Sequence, residues 1–138
     1  MTDTLPIPSA DTATDPIHSP ADMRERWRAL MGPLGFGERL LWIGFVGPDR
    51  RMHKVLTQMP IGRWPDRPTV EKLLSALKLS VDTSAPGSTL ALLLSRPGAD
   101  HLSTEDRRWS EVLRDSARRL EVELEPVFRA NDSNIVRM

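Results

Sequence analysis

Arg96, Ser103 and Asp106 stand close together in the stretch "LSRPGADHLSTED", and Glu38 heads an apolar run far upstream. Their types allow three chemistries. A carboxylate such as Glu38 or Asp106 serves as a general base or a metal ligand. A guanidinium such as Arg96 holds an anion or pairs with a carboxylate. A Ser-x-x-Asp pair at a helix start satisfies free N–H groups and needs no substrate. Ser103 and Asp106 read first as such a cap. Glu38 reads first as a solvated residue at a strand start, since glutamate is usually exposed.

Other constellations are thin. His18, His53 and His101 are scattered, and a set of His53, His101 and Asp106 matches no standard metal-ligand spacing. With no cysteine there is no thiolate zinc site, disulfide or thiol nucleophile, which suits the cytoplasm. No Gly-x-Ser-x-Gly elbow, Walker loop or Rossmann glycine pattern occurs, so no cofactor is expected. "GPLGFGE" holds glycines but precedes a strand instead of following one.

Arginines cluster at Arg24, Arg26 and Arg28, at Arg50 and Arg51, at Arg107 and Arg108, and at Arg118 and Arg119. A helix start at 103–106 beside Arg96 and Arg107 suits an anion. Interleaving with Glu105, Glu111 and Asp115 favours a solvated, self-paired face. Lysine plus arginine equals aspartate plus glutamate at 19 each, so no global basic field draws nucleic acid. Trp42 and Trp109 fit core positions, and Trp27 lies on a helical stripe. Trp64, in the loop "GRWPDRP", has no periodic reason to be buried and is a candidate partner contact.

The elements that must position these residues follow from pattern. Residues 1–18 carry no lysine or arginine and few large apolar side chains, and read as a disordered tail. Residues 19–138 read as a single domain. Ser19-Pro20 opens a helix with the stripe Met23, Trp27, Leu30 and Met31, stopped by Gly32-Pro33. "RLLWIGFV", 39–46, reads as a buried strand. "MHKVLTQM", 52–59, reads as its hairpin partner, with His53, Val55, Thr57 and Met59 on one face. Thr69 is expected to cap a helix carrying Val70, Leu73, Leu74 and Leu77. "STLALLLS", 88–95, is the central strand. Ser103 caps a third helix with Trp109, Val112, Leu113 and Ala117 inward. "VELEPVF", 122–128, alternates as a strand, and the last ten residues read as an unpacked end. The class is α/β, a mixed sheet sandwiched by helices. No signal peptide is evident, and no apolar run approaches the roughly 20 residues of a membrane span.

This order of elements resembles the JAB/MPN family, and particularly the C-terminal domain of RadC-type proteins. The resemblance spans about Glu38 to Phe128. It implies a cytidine-deaminase-like topology. Family members carry a glutamate near the first strand, a His-x-His-Pro motif after a central strand, and Ser-x-x-Asp at a helix start. The two histidines and the aspartate hold zinc, and the glutamate works as general base on the zinc-bound water. Here "LSRP" stands where His-x-His-Pro would be, and "STED" where Ser-x-x-Asp would be. Glu38 falls where the family glutamate would be. Leu94 and Arg96 therefore occupy the histidine positions. Leucine has no donor atom, and arginine stays protonated and repels a cation. The loop from Pro97 to Ser103 is also one residue shorter than in RadC-type domains. Glu38, Leu94, Arg96, Ser103 and Asp106 thus make a degenerate family site without metal.

The expected function is a non-catalytic module for a protein partner or self-association, bacterial and cytoplasmic. A second reading is a hydrolase or anion-binding enzyme using a site around Glu38, Arg96 and Asp106.

Overall fold

The computed structural model describes residues 6–138. Its centre is β3 (Thr89–Ser95), a strand apolar on both faces. Even-numbered Leu90, Leu92 and Leu94 enter one core, and Ala91 and Leu93 enter another. That period-two division of a continuous apolar run is what burial on both faces demands. Each large aliphatic side chain so buried contributes about 1.5–3 kcal/mol.

β1 (Leu40–Val46) pairs antiparallel with β3 along its whole length, from Leu40 opposite Ser95 to Val46 opposite Thr89. Outside it lies β2 (Thr57–Pro60). On the other side of β3 come β4 (Phe128–Ala130), parallel to it, and β5 (Ile135–Arg137), antiparallel to β4. The sheet is mixed, in the order β2-β1-β3-β4-β5.

Helices cover both faces. α2 (Arg67–Ser84) and α3 (Thr104–Arg119) pack Val70, Leu74, Trp109, Val112, Leu113 and Ala117 onto Leu41, Ile43 and the even leucines of β3. α1 (Pro20–Met31) packs Met23 and Trp27 onto Ala91, Leu93 and Phe128. Ser19 caps α1 by accepting the Asp22 N–H at 3.0 Å, and Gly32 ends it at φ 63°.

Several expectations are corrected. The hairpin partner is short, because the register changes from Ile43 opposite Thr57 to Val46 opposite Met52. Residues between must loop out. Val55 is left exposed and Leu56 packs on the second core, so the proposed single face is lost. α2 begins before Thr69. Asp66 is its cap and accepts the Thr69 N–H, while Pro68 occupies the first turn, where its missing N–H costs nothing.

The alternating segment 122–128 pairs its backbone with β3 at the bridge of Leu90 to Leu124, and a regular ladder resumes at Phe128. Pro126 interrupts it by removing a donor. The last residues are not an unpacked end. Ala130 and Ile135 are fully buried, and β5 closes the sheet. Of the expected tail, residues 1–5 lie outside the described residues. In the remainder Ala10–Thr14 form a 3-10 turn and Ile17 is 1% exposed in the α1-side core, while most of the other residues are exposed.

Candidate functional site

The site lies where β3 ends and α3 begins. The Arg96 N–H donates to the Ala130 carbonyl at 3.0 Å, carrying the β3–β4 ladder one step past Ser95. Arg96 stands two residues beyond Leu94, so it projects from the same face, towards α3. Ser103 and Asp106 form a reciprocal capping box. Ser103 Oγ accepts the Asp106 N–H at 3.1 Å, and Asp106 Oδ2 accepts the Ser103 N–H at 3.0 Å.

The box aims the Asp106 carboxylate at Arg96. Arg96 Nε donates to Oδ1 at 2.8 Å and Nη2 to Oδ2 at 2.7 Å. Asp106 is 0% exposed and Arg96 is 3% exposed. Arg96 Nη1 donates to Asp100 Oδ1 at 2.9 Å and to the Pro97 carbonyl at 3.0 Å. A second buried arginine, Arg129 on β4, brings Nη1 to 3.7 Å from Asp106 Oδ2. Its Nη2 donates to Asn134 Oδ1 at 2.7 Å. Asn131 Nδ2 donates to the Asp100 carbonyl at 2.8 Å. The Asp132 carboxylate accepts the N–H groups of Gly98 at 2.8 Å and Phe36 at 3.1 Å, tying three loops together.

The electrostatics follow from this geometry. Burial alone pushes the Asp106 carboxyl up. The Arg96 hydrogen bonds, the Ser103 N–H and the charges of Arg96 and Arg129 outweigh it and hold the group below the usual aspartate value. The bond to Asp106, reinforced by Asp100, raises Arg96 further against its own burial. Arg96 also holds Asp100 low. Arg129 is lowered, chiefly by burial. The four side chains carry two positive and two negative charges, so the corner is neutral as a unit.

This arrangement does little chemistry. A carboxylate held low, with both oxygens occupied, is a poor general base. A raised guanidinium gives up no proton. The residues do not fit a zinc ion either. Leu94 is fully buried among the apolar side chains between sheet and helices, and the Asp106 carboxylate is taken by Arg96. Among the described residues no group of three or more histidine, aspartate or glutamate side chains is placed to hold a metal.

Glu38 is not brought into this cluster. It precedes β1 at the same end of the sheet, is exposed, and makes no hydrogen bond or ion pair among the described residues. His101 is exposed in the loop. His53 lies towards the other end of β1, its ring near Phe45 and its Nε2 3.3 Å from Ser88 Oγ. Trp64 is 57% exposed. With Met59, Ile61, Leu73 and Trp109 it lines a depression of about 170 Å³ between β2 and α2. Trp109 Nε1 donates to the Gly62 and Arg63 carbonyls at 3.2 and 3.1 Å, which fixes the loop carrying Trp64.

Sequence reasoning missed Asp100, Arg129, Asn131 and Asp132. A signal existed: "NDSN" separates "VFRA" from "IVR", the turn residues of a hairpin between two apolar stretches. Asn131 Oδ1 accepts the Ser133 and Asn134 N–H groups at 2.9 and 3.1 Å and builds that turn. No family model, no curated protein and no solved structure matches this chain.

Proposed function

We propose that the chain is a non-catalytic protein-interaction or scaffold module of JAB/RadC-like build, in which an ion pair stands where the family's metal centre would be. The observation that carries this reading is the bidentate, buried contact of Arg96 with Asp106. The guanidinium supplies fixed positive charge to the motif carboxylate, the electrostatic part a cation would play, and leaves no open coordination position. Leu94 extends the apolar core where a ligand would stand. Catalysis around Glu38, Arg96 and Asp106 is the weaker reading, because Glu38 makes no contact with a carboxylate and a guanidinium already committed to each other. The apolar depression beside Trp64 is the contact surface this reading favours. A balanced charge disfavours nucleic acid, and a cysteine-free chain accords with the bacterial cytoplasm. No helix among the described residues is long and apolar enough to cross a membrane.

The test is metal content together with hydrolysis. The purified protein should carry no stoichiometric zinc, and excess EDTA should not lower its Tm. Peptide and isopeptide substrates should not be cleaved with or without added zinc. Zinc at one per chain, or cleavage abolished by Asp106→Asn, would overturn the reading.

A further inference from the structure

Two of the arginine clusters converge on one segment, remote in role from the Arg96 corner. Residues 6–17 are gripped through main-chain carbonyls by four arginines. Arg28 Nη2 donates to Pro6 at 2.8 Å, and Arg26 Nη1 to Thr12 at 3.1 Å. Arg51 Nη1 donates to Thr14 at 3.1 Å, and Arg50 Nε to Ile17 at 2.9 Å. The Ile17 N–H returns a bond to the Arg50 carbonyl at 2.7 Å.

Donors aimed at carbonyls read the backbone, here a 3-10 turn with non-helical residues on either side, and tolerate many side chains. One side chain supplies the anchor: Ile17, buried in the core that holds Met23, Trp27, Val46 and Met52. No residue of the 3-10 turn itself is buried. The charges are complementary, since the segment contains Asp11 and Asp15 and no lysine or arginine. Arg50 holds φ 63°, a left-handed conformation that costs a non-glycine residue energy. Its guanidinium grips both Ile17 and Glu125, the latter at 3.0 and 2.7 Å. The seating is also imperfect. The Nε of Arg26 is buried with no acceptor among the described residues.

We infer that this arginine-lined groove is a binding site for a short acidic segment of a partner protein that takes up the same 3-10 turn and bears one aliphatic anchor, and that residues 6–17 are its built-in competitor. A strap with a single buried anchor among mostly exposed residues opens locally at low cost compared with the sheet. While it is seated, its high effective concentration excludes other peptides. The inference adds to the module reading a second contact surface, apart from the depression beside Trp64, and it rests on that reading only in taking the chain to be a binding protein.

The probe is a fluorescein-labelled peptide of residues 6–18, followed by anisotropy against the full chain. The wild-type chain should bind it weakly. The full-length Ile17→Asp variant, checked for folding by circular dichroism, should bind it at least about tenfold more tightly, one anchor's worth of affinity. Adding Arg50→Gln should take back about tenfold, as should raising the salt. A peptide with aspartate at its own anchor position should not bind. Equal binding by both chains, or none by a folded Ile17→Asp chain, would overturn the inference. Exchange of the segment between two copies, seen as a dimer by sedimentation, would overturn it in favour of self-association. A second measurement does not depend on that variant folding. Arg26→Gln with Arg51→Gln should speed hydrogen exchange at residues 6–17 and leave β3 protected. Unchanged exchange in the strap would contradict it. Metal binding at the Arg96 corner changes neither readout, so failure here is separable from failure of the module reading.

Discussion

Arg96 holds both carboxylate oxygens of Asp106, at 2.8 and 2.7 Å, from a strand end to a helix start. The pair joins the central strand to α3 at the corner where the resemblance would place a metal centre. A buried pair of this kind adds little net stability against an apolar substitute. Breaking it by removing one partner is costly, because a charge is left buried. Arg129 and Asp100 complete the network, so its members should be altered together or not at all.

Acid should weaken the protein through Asp106. Its folded pKa lies below the ordinary aspartate value. The stabilisation is therefore complete above the unfolded pKa, about 4, and is lost as pH falls through the lower folded value. Glu125, held low chiefly by its Arg50 hydrogen bond, acts in the same direction. The urea midpoint should drop below about pH 4. Asp106→Asn should start less stable and show a shallower acid limb. An unchanged acid slope in Asp106→Asn would contradict the pairing.

Gly98 should tolerate no side chain. Its φ is 107°, outside the range open to alanine. An added Cβ would lie 3.0 Å from Asp100 Oδ1 and 3.1 Å from Arg96 Nη1. Gly98→Ala should cost more than about 1 kcal/mol in urea denaturation, from backbone strain alone. A neutral effect would mean that the loop is not held by Asp132 and Arg96.

Trp64 and Trp109 should separate binding from folding. Trp64→Ala should change stability by no more than about 0.5 kcal/mol, as expected for a mostly exposed residue. Trp109→Ala should cost about 3–5 kcal/mol, since it removes a buried aromatic ring. A large loss from Trp64→Ala would show that its ring is structural and weaken its candidacy as a partner contact.

The parts of the fold legible in the sequence were those with strong local pattern. The leucines of 90–94 announce a doubly buried strand, and Ser103 with Asp106 announces a capped helix start. Both stand as read. The hairpin was harder. A register change between Ile43 and Val46 is a pairing property, and periodicity within residues 52–59 does not encode it. The last ten residues read as an unpacked end, yet two hydrogen-bonded asparagine side chains at 131 and 134 build a turn there. Near the other end, Ile17 packs into the α1-side core within a segment that is otherwise mostly exposed. At the site, spacing brought Arg96 to Asp106. It gave no hint of Arg129, which arrives from a strand distant in sequence.

The measurement that bears most directly on the closed corner is a double-mutant cycle at Arg96 and Asp106, read by urea denaturation of the four chains. Asp106→Ala should cost about 3–5 kcal/mol, more than a lost cap, because Arg96 and Arg129 are left facing an unfilled, buried position. Arg96→Leu should also be costly, because it strands the Asp106 carboxylate. The double variant should lose less than the sum of the two, with a coupling of about 1–3 kcal/mol. Asp100 softens the loss on one side, since its side chain is 59% exposed and retains water as a partner. A coupling within error of zero would contradict the account, since the two residues would then not be holding the corner closed between them.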